Sequence, residues 1–155
     1  MRLLITLDAV SGVWRYAVDL GGWLRDAGHD IAFAGLGPRP DRVQQAEARG
    51  IGSLDWSPAP PDWMADHPAK LDGAGRWLAG IVERRAPDVV QANLPIQAAL
   101  LARRMAAVPP VVAVSHSCHA TWMRAVQGRP MPVAMAWHGR MTREGLWRRA
   151  APMPP

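Results

Sequence analysis

Short apolar runs alternate with helical patterns as far as residue 114, and this alternation constrains the fold more than any other feature of the chain. The runs are largely continuous, which predicts strands that are covered on both faces, as in a parallel sheet. They lie at 3–7, 31–34, 51–55, 89–90 and 111–114, and the helical patterns lie at 13–27, 41–49, 71–82 and 95–105. This order predicts an α/β fold: a Rossmann-like parallel sheet with helices on both faces.

The length of 155 residues suits a single domain, which we predict over residues 1–150, followed by a frayed proline-rich tail at 151–155. Residues 57–68 contain four prolines, so we expect an excursion without regular structure there. No stretch approaches the roughly 20 apolar residues that span a bilayer, and no signal-peptide core is present. We therefore expect a cytoplasmic protein, and the single cysteine excludes an internal disulfide framework.

Parallel sheets of this kind bind ligands beyond the carboxyl ends of their strands, near the point where the strand order reverses. This rule selects the loops at 8–14, 91–95 and 115–122 as candidate sites. Several sharper motifs are absent from the sequence: GxGxxG after the first strand, GxxxxGK[ST] and GxSxG. Ordinary dinucleotide binding, P-loop nucleotide hydrolysis and a nucleophile elbow are therefore not expected.

The first two loops contain small and polar residues at strand-to-helix junctions. Gly12, with Val13 and Trp14 after it, allows the start of a helix to approach an anion or a sugar hydroxyl, or it simply permits a tight turn. Tryptophan faces stack on sugar rings as well as in protein cores. Asn93, in the second loop, is typical of a helix cap, and the alternative is a hydrogen bond to a ligand.

The third loop carries the most chemistry. His116 directly follows a predicted strand, where an imidazole can donate to a sugar hydroxyl or transfer a proton near neutral pH; a structural role is the alternative. Trp122 is a candidate to stack on a sugar. We interpret Cys118 as a small buried filler, because His116, Cys118 and His119 are too crowded for a typical zinc site.

Basic residues accumulate in the last third of the chain. Residues 101–155 contain 8 basic side chains and one acidic side chain, whereas residues 1–100 contain 10 basic and 12 acidic side chains. A helical stripe of Val133, Trp137 and Met141 lies among arginines at 140, 143, 148 and 149. Such a stripe is typical of a helix that packs on its own sheet, and the alternative is docking on an acidic partner or an anionic membrane. No nucleic-acid reader module is visible, so no nucleic-acid partner is expected.

Four segments together resemble a known family. Residues 11–16 (SGVWRY), 27–30 (AGHD), 87–93 (PDVVQAN) and 114–118 (VSHSC) resemble the amino-terminal domain of GT-B glycosyltransferases, most closely the retaining family 4. The order and spacing of the segments match over residues 1–150.

The resemblance implies transfer of a hexosyl unit from a nucleotide-sugar to a carbohydrate or lipid-linked acceptor. It implies that Gly12 lies beside the donor phosphates or the acceptor, and that His116 contacts the transferred sugar as the catalytic residue. Asn93 and Trp122 would shape the acceptor side. Neither a cofactor nor a catalytic metal ion is implied, and the site would adjoin the inner face of the membrane if the acceptor is a lipid.

Two departures from the family pattern modify these expectations. Ser11 replaces the first of the two glycines that the family usually shows in its first loop. The sequence also lacks the carboxyl-terminal donor-binding domain and its Glu-x7-Glu pair. We therefore expect half an enzyme: a truncated remnant, a gene-model fragment or one subunit of a split enzyme, inactive alone or dependent on a separate partner. The alternative function is a non-catalytic module that docks through its basic last third.

Overall fold

The computed structural model describes residues 1–10, 12–116 and 119–147. It contains a five-stranded sheet in the order β3-β2-β1-β4-β5, in which every pair is parallel. The strands are β1 (Arg2–Leu7), β2 (Asp30–Leu36), β3 (Ser53–Ser57), β4 (Val89–Ala92) and β5 (Val111–Ala113). The predicted Rossmann-like α/β sheet is therefore confirmed.

The described helices are α1 (Val13–Asp26), α2 (Arg42–Arg49), α3 (Asp72–Arg85), α4 (Pro95–Ala102), α5 (His119–Gln127) and α6 (Ala136–Trp147). Two short 3-10 helices, Asp62–Met64 and Pro68–Leu71, lie in the excursion that follows β3, which we predicted to lack regular structure. Within the described ranges, no helix has the length and apolar character needed to cross a bilayer.

The third strand begins two residues later than the sequence predicted. Ile51 and Gly52 both donate their backbone N–H groups to the carbonyl of Ala48, at 3.1 and 3.0 Å, and so belong to the end of α2. These two residues are consequently unable to pair with β2, and the strand starts at Ser53.

Two apolar clusters cover the two faces of the sheet. On one face, Leu3, Ile5 and Phe33 pack against α1 and the end of α2. On the other face, Leu4 and Val90 pack against α3 and α4. Because successive side chains of a strand point to opposite faces, the continuous apolar run of β1 supplies both clusters.

The last helix packs on α4 and not on the sheet, which corrects the prediction for the apolar stripe. Trp137 and Met141 are buried against Ile96 and Leu100 of α4. Val133 lies before α6 and is 91% exposed, so it is not part of this contact. Two of the three stripe residues are therefore buried inside the molecule. The stripe consequently no longer supports docking on a partner or a membrane. Two of the predicted arginines, at 148 and 149, and the tail at 151–155 lie outside the described residues.

The two helices approach closely because α6 has a glycine at the contact. A Cβ atom built on Gly145 would lie 1.7 Å from the carbonyl oxygen of Pro95, a distance that no side chain can occupy. An ion pair between Arg103 and Glu144 joins the same helices at their exposed side. The absence of a side chain at Gly145 therefore sets the distance between α4 and α6.

A second buried contact joins α6 to the excursion after β3. Oδ2 of Asp62 lies 3.1 Å from Nε2 of His138, and both side chains are more than nine-tenths buried. The two atoms do not form a well-directed hydrogen bond, so this is a close polar contact. The excursion is thus fixed from both sides, by α6 and by α4.

We expect Gly145→Ala to lower the free energy of unfolding by about 1–3 kcal/mol, because the added methyl group forces α6 away from α4. The matched control is Gly139→Ala in the same helix, where the nearest atom to a new Cβ is the Cε of Met131 at 3.5 Å. That variant gains helix propensity and should raise the free energy of unfolding by up to about 1 kcal/mol. Urea denaturation measures both; equal effects of the two substitutions would contradict the close contact.

Candidate functional site

The carboxyl ends of all five strands lie at one edge of the sheet, because every strand runs in the same direction. The strand order reverses between β1 and β4, so the loops after these two strands flank the switch point. Gly12 follows β1, His116 follows β5, and the intervening Asn93 follows β4. The prediction that Gly12 and His116 share one edge is confirmed.

The end of β1 is joined to the loop after β4 by hydrogen bonds through Thr6. The backbone N–H of Asn93 donates to Oγ1 of Thr6 at 2.9 Å, and Nδ2 of Asn93 donates to the Thr6 carbonyl at 2.7 Å. Oγ1 of Thr6 in turn donates to Oε1 of Gln97 in α4 at 2.5 Å. All three side chains are buried, so this polar junction is fixed within the core.

Asn93 does not cap the helix that follows it, which corrects the favoured sequence interpretation. The N-cap position of α4 is Leu94, whose backbone N–H donates to Oε1 of Gln97 at 3.3 Å. Oδ1 of Asn93 instead lies 3.1 Å from Nε2 of His116 and accepts a hydrogen bond from Nε2 of Gln91 at 3.3 Å. Asn93 therefore connects the core junction to the imidazole at the sheet edge.

Tyr16 lies against His116 on another side. The two ring centroids are 4.5 Å apart and the ring planes meet at 70°, an edge-to-face contact. Nε2 of Gln91 also donates to the Tyr16 hydroxyl at 3.1 Å. Helix α1 and the loop after β4 thus both contact the imidazole, although His116 itself remains on the exposed surface.

The pKa of His116 is lowered below its usual value of 6.5, chiefly because the ring is partly withdrawn from water, while the nearby Asp8 carboxylate opposes the shift. Asp8 is buried directly after β1, and its Oδ1 accepts a hydrogen bond from the backbone N–H of Val10 at 3.0 Å. The imidazole is consequently neutral near pH 7.

The first loop contributes less side-chain surface than predicted. Gly12 has φ −62° and ψ −11°, ordinary helical values, and no atom lies within 4 Å of a Cβ built there. No tight turn therefore requires this glycine, and the space in front of α1 is open. Val13 and Trp14 point into the core, where Nε1 of Trp14 donates to Glu47 at 3.1 Å. Tyr16, and not Trp14, is the aromatic residue that reaches His116.

The start of α5 forms a separate aromatic group. Trp122 is 44% exposed, and its ring centroid lies 6.2 Å from that of His119. The His119 ring lies 5.2 Å from His138, and its pKa is lowered by burial first and by His138 second, against the attraction of Asp62. Among the described residues, no three His, Cys, Asp or Glu side chains are placed to hold a metal ion. Cys118 lies outside the described residues.

Two surface grooves of the described residues can be compared with the candidate site. Both lie elsewhere: one of about 480 Å³ between α1 and α2, and one of about 670 Å³ beside β3. Neither is lined by His116, Asn93 or Tyr16.

Comparison with known proteins identifies the family. The model of Glycosyltransferase Family 4 matches residues 10–152. The chain belongs to glycosyltransferase family 4. It is thus a glycosyltransferase-like domain, and the resemblance deduced from residues 11–16, 27–30, 87–93 and 114–118 is confirmed. No curated protein matches the sequence.

Two solved glycosyltransferase structures are similar to this family 4 chain. Phytolacca americana UGT2, complexed with UDP-2fluoro-glucose and pterostilbene, is similar with TM-score 0.51 and 14% identity over 72% of this chain and 30% of that one. SsfS6, a Streptomyces sp. SF2575 glycosyltransferase, gives TM-score 0.41 and 21% identity over 73% of this chain and 38% of that one. The family 4 chain therefore spans about a third of the length of these enzymes.

The structure predicts different stability effects for two neighbouring site residues of the family 4 chain. Asn93→Ala removes the Nδ2 donor from the buried carbonyl of Thr6 and should lower the free energy of unfolding by about 1–3 kcal/mol. His116→Ala removes an exposed ring and should change it by less than about 0.5 kcal/mol. Urea denaturation of the two variants distinguishes them. A large loss for His116→Ala would assign that residue a structural role.

Proposed function

We propose that this chain is the acceptor-side domain of a retaining, nucleotide-sugar-dependent glycosyltransferase that transfers a hexosyl unit to a carbohydrate or lipid-linked acceptor. The observation that carries the proposal is the placement of His116, which Asn93 and Tyr16 hold at the sheet edge beside the switch point. Membership of family 4 supports the reaction class.

The individual residues suit this chemistry in different ways. A neutral imidazole at an open edge can bind a sugar hydroxyl, which is the role we assign to His116. The open space at Gly12 allows a phosphate or a hydroxyl to approach the amino end of α1, where backbone N–H groups favour negative charge. Trp122 offers an exposed indole face for stacking on a sugar, and Asn93 acts through His116.

The proposed reaction requires a second wall. Transfer of a sugar between two bound molecules needs groups held on both sides of the reacting bond. We infer that a donor-binding domain, on a separate chain or on a longer form of this one, supplies the other side. The proposal includes neither a cofactor nor a catalytic metal, and it places the reaction in the cytoplasm.

Transfer assays test the proposal directly. We expect no transfer of radiolabelled hexose from UDP-glucose or GDP-mannose to a membrane lipid extract by the chain alone. We expect transfer once the donor-binding domain of a complete family 4 enzyme is added. Loss of the His116 imidazole in His116→Ala should then reduce the rate by about 100-fold or more. Trp23→Ala, a change at an exposed position of α1, is the matched control and should leave the rate unchanged.

The dependence on a second domain and the role of His116 are contradicted by different results. Robust transfer by the isolated chain would overturn its dependence on a second domain. An unchanged rate in His116→Ala would remove the assigned role of that residue.

We also propose a peripheral contact with an anionic membrane. Arg140, Arg143 and Trp147 recur at helical spacing on α6, and all three are exposed, with Leu146 beside them. Basic residues beside an exposed tryptophan are typical of helices that lie on a charged bilayer surface.

Vesicle sedimentation tests the membrane contact. The chain should bind phosphatidylglycerol vesicles and not phosphatidylcholine vesicles, and Arg140→Glu with Arg143→Glu should weaken binding about tenfold or more, at roughly 1 kcal/mol for each basic residue. The control pair is Arg39→Glu with Arg42→Glu, two exposed positions before and at the start of α2. An equal loss of vesicle binding in both double variants would show that the net charge of the chain, and not this surface of α6, determines binding.

A further inference from the structure

We propose that Asn93 is a positioning residue that holds His116 as the neutral tautomer protonated on Nε2, which leaves Nδ1 to accept a hydrogen bond from a substrate hydroxyl. The tautomer follows from hydrogen bonds within the chain, whereas the role toward a hydroxyl rests on the proposed function. No bond is made or broken in this step.

The orientation of the Asn93 amide is fixed first. One end of the amide lies 2.7 Å from the carbonyl oxygen of Thr6, which can only accept a hydrogen bond. The amide nitrogen must therefore occupy that end, because the reversed amide would bring two oxygen atoms together in a buried site. The backbone N–H of Asn93, bonded to Oγ1 of Thr6 at 2.9 Å, holds the residue in the same place.

The opposite end of the amide then determines the protonation of the imidazole. Oδ1 of Asn93 lies 3.1 Å from Nε2 of His116, and an amide oxygen carries no hydrogen to donate. Nε2 must consequently be the protonated nitrogen. Gln91 agrees with this arrangement, since its Nε2 donates both to Oδ1 of Asn93 and to the hydroxyl of Tyr16.

Nδ1 of His116 carries a lone pair when the imidazole is neutral. In the described part of the chain, the titratable groups that face the imidazole are Asp8 at the end of β1 and Tyr16 on α1. Burial of the ring outweighs the attraction of Asp8 and lowers the pKa of His116, so the neutral form predominates near pH 7. Tyr16 packs against the ring and limits its rotation.

This protonation state selects the ligand group. A lone pair on Nδ1 accepts the hydrogen of an alcohol, whereas the oxygen of a phosphate or carboxylate offers no hydrogen and is repelled. We therefore assign Nδ1 of His116 to a hydroxyl of the sugar or of the acceptor, and not to the phosphates of the donor.

Long-range ¹H–¹⁵N correlation spectra of the ¹⁵N-labelled chain near pH 7.5 test the proposal without any ligand. The His116 signals, assigned by their loss in His116→Gln, should show a protonated Nε2, an unprotonated Nδ1 and a slowly exchanging Nε2 proton. A free imidazole also favours this tautomer, so the response to substitution of Asn93 decides the matter. A protonated Nδ1 in the unsubstituted chain at this pH would overturn the proposal.

Asn93→Ala removes the oxygen that accepts from Nε2 of His116 and should make the Nε2 proton exchange rapidly. Tyr16→Phe is the matched control: the Tyr16 hydroxyl bonds to Gln91 and not to His116, so the tautomer should stay the same. A slowly exchanging Nε2 proton of His116 in a folded Asn93→Ala chain would overturn the proposal. If that variant does not fold, Gln91→Ala replaces it, and loss of the slowly exchanging Nε2 proton there would contradict the role of Asn93.

The spectra test the role of Asn93 and the transfer assays test the proposed function, so each can be contradicted without the other. A chain with the expected tautomer and no transfer in the presence of a donor-binding domain would contradict the proposed function alone. Transfer with a freely exchanging His116 tautomer would contradict only the role of Asn93.

Discussion

The junction between the end of β1 and the loop after β4 supports everything at the functional edge. The hydroxyl of Thr6 both accepts a hydrogen bond there, from Asn93 in the loop after β4, and donates one, to Gln97 in α4. Parallel pairing of β1 with β4 brings these residues together, because Leu3, Leu4 and Ile5 align with Val89, Val90 and Gln91. A buried polar junction of this kind is rigid only when each member is satisfied, so the position of His116 depends on the pairing of two central strands.

Much of the fold could be predicted from the sequence because the physical signals were local. Continuous apolar runs predicted all five strands, and glycines and prolines predicted most of the breaks. The partner of α6 was not predicted correctly, since an apolar stripe shows that a helix is covered but not what covers it. The sequence of α4 did contain a signal for this contact, because the helix is apolar nearly all round, and it is buried from Pro95 to Leu101. A helix of that kind must be covered on more than one side.

The site was predicted in its location and not in its composition. The rule for parallel sheets selected the edge and placed Gly12 and His116 there, which requires only strand direction. Tyr16 and Gln91 were missed, because their contacts with His116 and Asn93 depend on side-chain direction and on the register of β1 and β4. Asn93 was assigned to a cap on residue preference alone, and tertiary hydrogen bonds overrode that preference.

The contact between Asp62 and His138 has a consequence for how the molecule is assembled during synthesis. Asp62 leaves the ribosome long before His138, and until α6 docks, its carboxylate has no imidazole to face within the apolar layer formed by Leu71, Ile96 and Leu100. Contacts between distant parts of a chain form late and slowly. In the folded chain, α6 therefore covers an apolar layer to which the proline-rich middle of the chain contributes Leu71.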